Sequence, residues 1–314
     1  MAELAINLLK TVRPRQWLKN LSVGAALVFT GELFDEKKLW LIFYAIVLMT
    51  VITSAIYIFN DLIDRKKDRQ HPFKKFRPIA AGKVSPELAL LLFIVFSVIG
   101  LWWSLSISTF FFIAVFSYWV LQVLYTLILK HIEILEMMII AGGFILRVYA
   151  GALAIEAHLS IWFLLCVVTT ALLISVGKRR AELAILSQQT AFMHRKVLSK
   201  YNEDVLNGYV TMFATSTWVS WALFTFFVPP APLAQTYPQF FANLPLTISG
   251  TNKWLMTTIP IVIYGVMRYL RIIYDGSKAE SPERVLLSDR PLLIAVTIWS
   301  LMVVIILYLF PSYR

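Results

Sequence analysis

The chain has 314 residues, of which 59% are hydrophobic and 15% charged, with a mean hydropathy of +0.73. A soluble domain carries about 25% charged residues, so an ordinary soluble enzyme, a disordered chain and a disulfide scaffold are excluded. Cys166 is the single cysteine and has no intrachain partner for a disulfide.

A membrane crossing by α-helix needs about 20 mostly apolar residues. Nine segments meet this: 17–33, 38–60, 87–106, 109–128, 134–155, 160–176, 206–228, 254–273 and 291–310. The first is the least hydrophobic. Lys10, Arg13, Arg15 and Lys19 break up the first apolar stretch, which argues against a cleavable signal peptide. The polar stretch 177–205 is expected as a surface helix, and 229–252 as a Pro-containing outer loop.

The net charge of +11 and a pI near 9.7 would suit a nucleic-acid partner, but the positions of the charges argue otherwise. Of 29 Lys and Arg, 24 fall on one side of the nine spans. Lys37, Lys38, Lys253 and Arg314 fall on the other, and Arg147 lies within the fifth span. The positive-inside rule places the basic side in the cytoplasm. The N-terminus is then inside and the C-terminus outside. Trp40, Trp102, Trp103, Trp162 and Trp254 all fall near the outer interface, as aromatic belts do. The expectation is an all-α polytopic protein of the cell membrane, residues 1–314 forming one domain. Its partners include membrane lipid and no nucleic acid.

The second span ends in Asn60-Asp61-Leu62-Ile63-Asp64-Arg65-Lys66-Lys67-Asp68. On a continuous helix Asp61, Asp64 and Asp68 would share one face with Asn60. Three carboxylates so placed repel each other unless a cation lies between them. Oxygen donors of this kind suit Mg²⁺, which binds through a few carboxylates plus substrate phosphates. A solvated helix end with local ion pairs is the plainer alternative. The chain then runs through His71-Pro72 and Lys74 to Arg77-Pro78-Ile79-Ala80-Ala81-Gly82. Residues 61–86 hold eight bases and three acids. Acids followed by a Pro-stiffened basic loop suit a metal–diphosphate, with phosphoryl oxygens on Lys and Arg. No Cys/His cluster has zinc spacing.

The pattern Asn60-Asp61-x-x-Asp64-x-x-x-Asp68 resembles the first aspartate motif of the UbiA superfamily of intramembrane prenyltransferases. The run His71 to Gly82, and the opening Arg13-Pro14-Arg15-Gln16-Trp17-Leu18-Lys19-Asn20, resemble its decaprenyl-phosphate phosphoribosyltransferase branch. The resemblance implies a nine-helix bundle that binds Mg²⁺-diphosphate at the cytoplasmic face. Most of the superfamily carries a second acidic pair after helix 6. Here Gly177-Lys178-Arg179-Arg180-Ala181-Glu182 offers Lys178 and Glu182 at that spacing, so one acid has become a base. Phosphoribosyl diphosphate has anionic groups at both ends, and a polyprenyl phosphate adds a third, so extra cations fit that branch.

The resemblance then implies transfer of 5-phosphoribose from phosphoribosyl diphosphate to a polyprenyl phosphate, in the supply of an envelope pentose donor. Asp61, Asp64 and Asp68 would hold Mg²⁺, with Asn60 in support. Lys19, Lys74, Arg77, Lys178 and Arg179 would bind phosphoryl groups. Asp64 or Glu182 would stabilise charge at ribose C1. Arg147 would line a cavity near substrate phosphate, since intramembrane charges face cavities or partners; a structural ion pair is the alternative. Asp289-Arg290-Pro291 reads as a helix start. Two other functions stay open: an aromatic prenyltransferase using a prenyl diphosphate, and a non-enzymatic carrier. A homo-oligomer stays open as well.

Overall fold

A computed structural model describes residues 2–71, 74–186, 202–227, 253–275 and 288–308. The expected outer loop 229–252, residues 187–201 of the polar stretch, Pro72, Lys278 and Arg284 lie outside the described residues. Among the described residues every regular element is a helix. Eight helices among the described residues are long and apolar enough to cross a membrane.

The described residues form two compact units. The first contains residues up to 27 and 33–157. It begins with α1 (Ala2–Thr11), followed by a 3-10 helix over Pro14–Gly24 that leads into the short α2 (Ala25–Phe29). Next come α3 (Glu36–Ile63), α4 (Arg65–Gln70), α5 (Pro86–Ser104), α6 (Thr109–Leu127) and α7 (Leu135–Ala154). The second unit contains residues 28–32 and the described residues from 158 onward. Its helices are α8 (Ile161–Leu186), α9 (Glu203–Phe227), α10 (Ile259–Asp275) and α11 (Arg290–Tyr308).

Side-chain caps explain several helix starts. Asp35, Ser85 and Ser108 accept backbone N–H bonds at the openings of α3, α5 and α6. Asp289 does the same for α11, with Pro291 in the first turn. Each supplies an acceptor for an otherwise orphaned donor. On α5, Leu91, Ile94, Val98 and Trp102 lie along one face and are all exposed. In a soluble protein that face would be a liability; here it matches a lipid-facing stripe.

The first expected span is not one continuous α-helix. Residues 14–24 wind as a 3-10 helix, and Asn20 is fully buried within it. Three features account for this. Pro14 sits at the start with a fixed φ. Ser22 Oγ donates to the Lys19 carbonyl, competing with the regular ladder. Gly151 of α7 meets the Val23 carbonyl so closely that any Cβ would collide with it. Backbone therefore packs on backbone, and glycine is the residue that allows it.

The sixth expected span, 160–176, continues as helix through Leu186. Lys178, Arg179, Arg180 and Glu182 are therefore helical, as expected of that stretch, but they continue the sixth span without a break. Gly177 does not stop the helix, because it faces the Tyr269 ring of α10, whose hydroxyl is 2.5 Å from where a Cβ would lie. The second unit is also held by aromatic packing among Phe29, Phe163, Trp221, Phe224 and Trp299.

Candidate active site

The expected single acidic face is broken. α3 ends at Ile63, Asp64 is the junction residue, and Asp68 lies on α4. Asp61 and Asp68 are nevertheless drawn together, both buried, by one guanidinium. Arg77 Nη1 donates to Asp61 Oδ1 at 2.9 Å and to Asp68 Oδ2 at 2.7 Å. Asp61 also accepts from Arg13. Asp64 turns to a different base: Lys130 Nζ lies 2.7 and 2.9 Å from its two carboxylate oxygens. Asn60 is half-buried beside Asp61.

The fold explains why Arg77 arrives there. Ile79 and Val84 are buried in a cluster with Ile58 and Ala89. The Ala80 carbonyl accepts from Arg69 Nε at 3.0 Å. These contacts fasten the loop beneath the end of α3 and bring the residue two before Ile79 onto the acids. Lys74 is half-buried in the same loop, with its backbone N–H on His71 Nδ1 at 3.3 Å.

Two of the bases sit in or beside unusual backbone. Arg13 is left-handed, with φ 53 and ψ 66, and its guanidinium lies 5.2 Å from the Tyr57 ring centroid. Four residues past Lys130, Ile134 has φ 60 and ψ −50, an outlier for a β-branched residue. Strain of this sort persists only where the surroundings enforce it, and it clusters at functional sites.

Arg147 is buried and, among the described residues, makes no ion pair. It donates to Asn20 Oδ1 (3.0 Å), the Gly143 carbonyl (3.0 Å) and the Tyr118 hydroxyl (2.7 Å). The Tyr118 and Phe144 rings flank it at 4.8 and 5.5 Å. Asn20 donates in turn to Thr50 and Thr53 of α3. The network ties the 3-10 helix to α3, α6 and α7. Lys19, half-buried, is the neighbour of Asn20 on that 3-10 helix.

In the second unit, Arg179 is fully buried and bonds to Glu182, three residues on. Lys178 is half-buried. Arg180 is held by Asn207 (2.7 Å), Glu203 (2.6 Å) and the Tyr274 ring (4.8 Å). Arg268 makes a bidentate pair with Asp289, at 3.0 and 2.7 Å, which braces the cap of α11.

Sequence reasoning missed Arg13 and Lys130 as partners of the aspartates. Each left a signal. Arg13 opens the run that carries the resemblance, and Lys130 is the sole Lys or Arg between α6 and α7.

The fit of a divalent cation here rests on donor chemistry rather than on a ready cluster. Among the described residues no three acidic, His or Cys side chains gather around one point. Two carboxylates from two helices do converge on a cationic nitrogen, and Asp64 holds a second cation with both oxygens. The donors are hard oxygens of the kind Mg²⁺ takes, and positively charged groups already stand among them.

Comparisons with known proteins identify the family. A family model described as the UbiA prenyltransferase family matches residues 21–178. The decaprenyl-phosphate phosphoribosyltransferase of Mycolicibacterium smegmatis is 36% identical over 94% of this chain and 91% of its own length. The protein of the same name from Mycobacterium tuberculosis is 31% identical over 95% and 93%. A UbiA homolog from Archaeoglobus fulgidus, solved bound to GPP and Mg²⁺, superposes with a TM-score of 0.66 at 18% identity, covering 96% of this chain and 99% of that one. With that fold, and with similarity running nearly end to end, the chain belongs to the UbiA prenyltransferase family.

Proposed function

We propose that this chain transfers 5-phosphoribose from phosphoribosyl diphosphate to a polyprenyl phosphate and releases diphosphate. The observation that carries the reading is its 30–36% identity, over nearly the whole chain, to relatives named for that reaction. The site supports it: three carboxylates matched by three bases suit a metal–diphosphate, and a base at position 178 adds cationic charge. The protein is a multi-pass membrane transferase. We place the site at the cytoplasmic face of the plasma membrane and read residues 1–314 as one catalytic domain serving envelope pentose supply. The 3-10 helix rises about 22 Å at roughly 2.0 Å per residue, and α2 adds about 7 Å. Together they are long enough for the ninth crossing, with the N-terminus inside and the C-terminus outside.

In the reaction, a phosphate oxygen of the lipid forms a bond to ribose C1 as the C1–oxygen bond to diphosphate breaks. The attacking oxygen is already anionic, so no general base is required. Mg²⁺, when bound, neutralises charge on the departing diphosphate. Asp61, Asp64 and Asp68 would hold the metal, and Asn60 would support them. Lys19, Lys74, Arg77, Lys178 and Arg179 take phosphoryl oxygens, while Asp64 or Glu182 faces the positive charge developing at C1. Arg147 holds the 3-10 helix that carries Lys19, and so positions a phosphate ligand. Catalysis is then positioning plus charge stabilisation.

The test uses purified protein with Mg²⁺, labelled phosphoribosyl diphosphate and polyprenyl phosphates of two chain lengths. Labelled lipid that is lost with EDTA and with Asp64→Asn is the expected result. No labelled lipid, alongside product from a prenyl diphosphate and an aromatic acid, would assign the chain to the prenyl-transferring members instead.

A further inference from the structure

Asp61 is one end of a longer polar stripe. Asp61, Tyr57, Thr53 and Thr50 follow at intervals of four, four and three residues, so they share a face of α3. At 1.5 Å per residue, Thr53 lies about 12 Å and Thr50 about 16 Å along the helix from Asp61. That is near the middle of a 28-residue spanning helix. Polar groups at such a depth are costly unless they are hydrogen-bonded.

Both threonine hydroxyls are committed. Thr50 Oγ1 donates to the Ile46 carbonyl at 2.8 Å, and Thr53 Oγ1 to the Thr50 carbonyl at 3.1 Å. Their oxygens are left as acceptors, and Asn20 Nδ2 donates to them at 3.0 and 3.1 Å. Asn20 Oδ1 accepts from Arg147 Nε at 3.0 Å, and Arg147 Nη2 donates to the Tyr118 hydroxyl. The direction of each bond fixes the buried amide, and with it the turn of 3-10 helix that carries Lys19. A satisfied buried network of this kind is rigid. Lys19 and Tyr57 both lie near enough to Tyr118 to act electrostatically on its hydroxyl, which puts Lys19 with this network.

Direct displacement at ribose C1 brings the incoming oxygen to the face opposite the departing diphosphate. With the diphosphate beside Asp61, the incoming phosphate comes from further along the stripe. A polyprenyl phosphate carries its charge at the end of an apolar chain. A cation at this depth meets that charge without drawing the chain out of the bilayer. We infer that Lys19 takes the phosphate of the polyprenyl acceptor, not a phosphate of phosphoribosyl diphosphate, and that Asn20, Arg147 and Tyr118 are positioning residues that hold Lys19 there. The inference rests on reading the chain as a phosphoribosyltransferase whose diphosphate sits on the α3 acids.

The experiment compares two labelled lipids of one chain length, a polyprenyl phosphate and the matching polyprenol, for retention by the purified protein in detergent. The ratio of their affinities isolates the phosphate from the chain. Labelled phosphoribosyl diphosphate is measured separately by equilibrium dialysis with Mg²⁺. Lys19→Gln should cut the preference for the phosphate lipid by about tenfold, the scale of one charged hydrogen bond. The Kd for phosphoribosyl diphosphate should stay within about twofold on the same scale. Lys19→Arg, which keeps the charge, should retain most of the preference. Asn20→Ala should lower it in the same direction although Lys19 is present, and folding of each variant is checked by its thermal midpoint. An unchanged preference in Lys19→Gln, or an equal or larger loss of phosphoribosyl diphosphate binding, would overturn the assignment. An unchanged preference in Asn20→Ala would remove the positioning role. If Lys19→Gln abolishes the lipid preference but the parent protein never retains phosphoribosyl diphosphate, the lipid-phosphate site stands and the phosphoribosyl reading falls.

Discussion

The two longest helices end in opposite ways. α3, of 28 residues, stops at a junction where its acids take bases from far away in sequence. Asp61 reaches Arg13 and Arg77, 48 and 16 positions off, and Asp64 reaches Lys130, 66 positions off. α8, of 26 residues, runs straight through its charged end, and its buried Arg179 is held by an acid three residues away. The first arrangement exists only in the folded chain. In the second, Arg179 and Glu182 pair within one helix, while Arg180 takes Asn207 and Glu203 of α9.

The largest expected effect breaks the comparison at its first member. Asp61→Asn removes the acid shared by two guanidinium groups. Turnover should fall by about 10²–10³-fold, the scale for losing one preorganised charge-stabilising group. Phosphoribosyl transfer to lipid, measured with Mg²⁺ saturating, checks this, and a variant within threefold of the parent would remove Asp61 from the metal site. Gly151→Ala acts on the support of that region instead. A methyl directed at the Val23 carbonyl should cost about 1–3 kcal/mol, seen as a lower thermal midpoint in detergent. No shift would mean that the 3-10 helix can lift off α7 freely.

The next prediction sharpens the second member. Lys178→Asp restores an acidic pair with Glu182 at four-residue spacing. Binding of labelled phosphoribosyl diphosphate should weaken by about tenfold, near the lower end for a charged hydrogen bond. An unchanged Kd would make the end of α8 structural only. The smallest effect is Glu203→Ala. Its carboxylate pairs with Arg180 but is 53% exposed, and such pairs contribute about 1 kcal/mol or less. The thermal midpoint should barely move, since Asn207 and Tyr274 still hold Arg180.

Much of this was legible in the sequence. The eight long helices fall where the apolar runs lie, and Asp289-Arg290-Pro291 does open α11, because both signals are local. The three aspartates and Arg77 could be singled out for the same reason. The partners Arg13 and Lys130 could not, because nothing in a linear pattern ties positions 13 and 61, or 64 and 130. The helix break at Asp64 was also hidden, since the sequence there has no proline or glycine. The 3-10 winding of residues 14–24 depends on a backbone contact with Gly151 that only the folded chain supplies. Arg147 read as an intramembrane charge awaiting a phosphate or an acid. Its actual partners, an amide, a hydroxyl and a carbonyl, carry no charge and so left no pattern to find.

The burial of Ile79 and Val84 has a consequence for affinity. Ordering a loop on binding costs roughly 1–2 kcal/mol of backbone entropy per residue. Here the segment from Pro78 to Val84 is fixed by its contacts beneath α3 before any substrate arrives. That entropy is lost during folding, so it is not subtracted from the binding of phosphoribosyl diphosphate. The loop thus behaves as part of the scaffold, and loosening it, for example by Ile79→Ala, should weaken substrate binding without touching a single charged group.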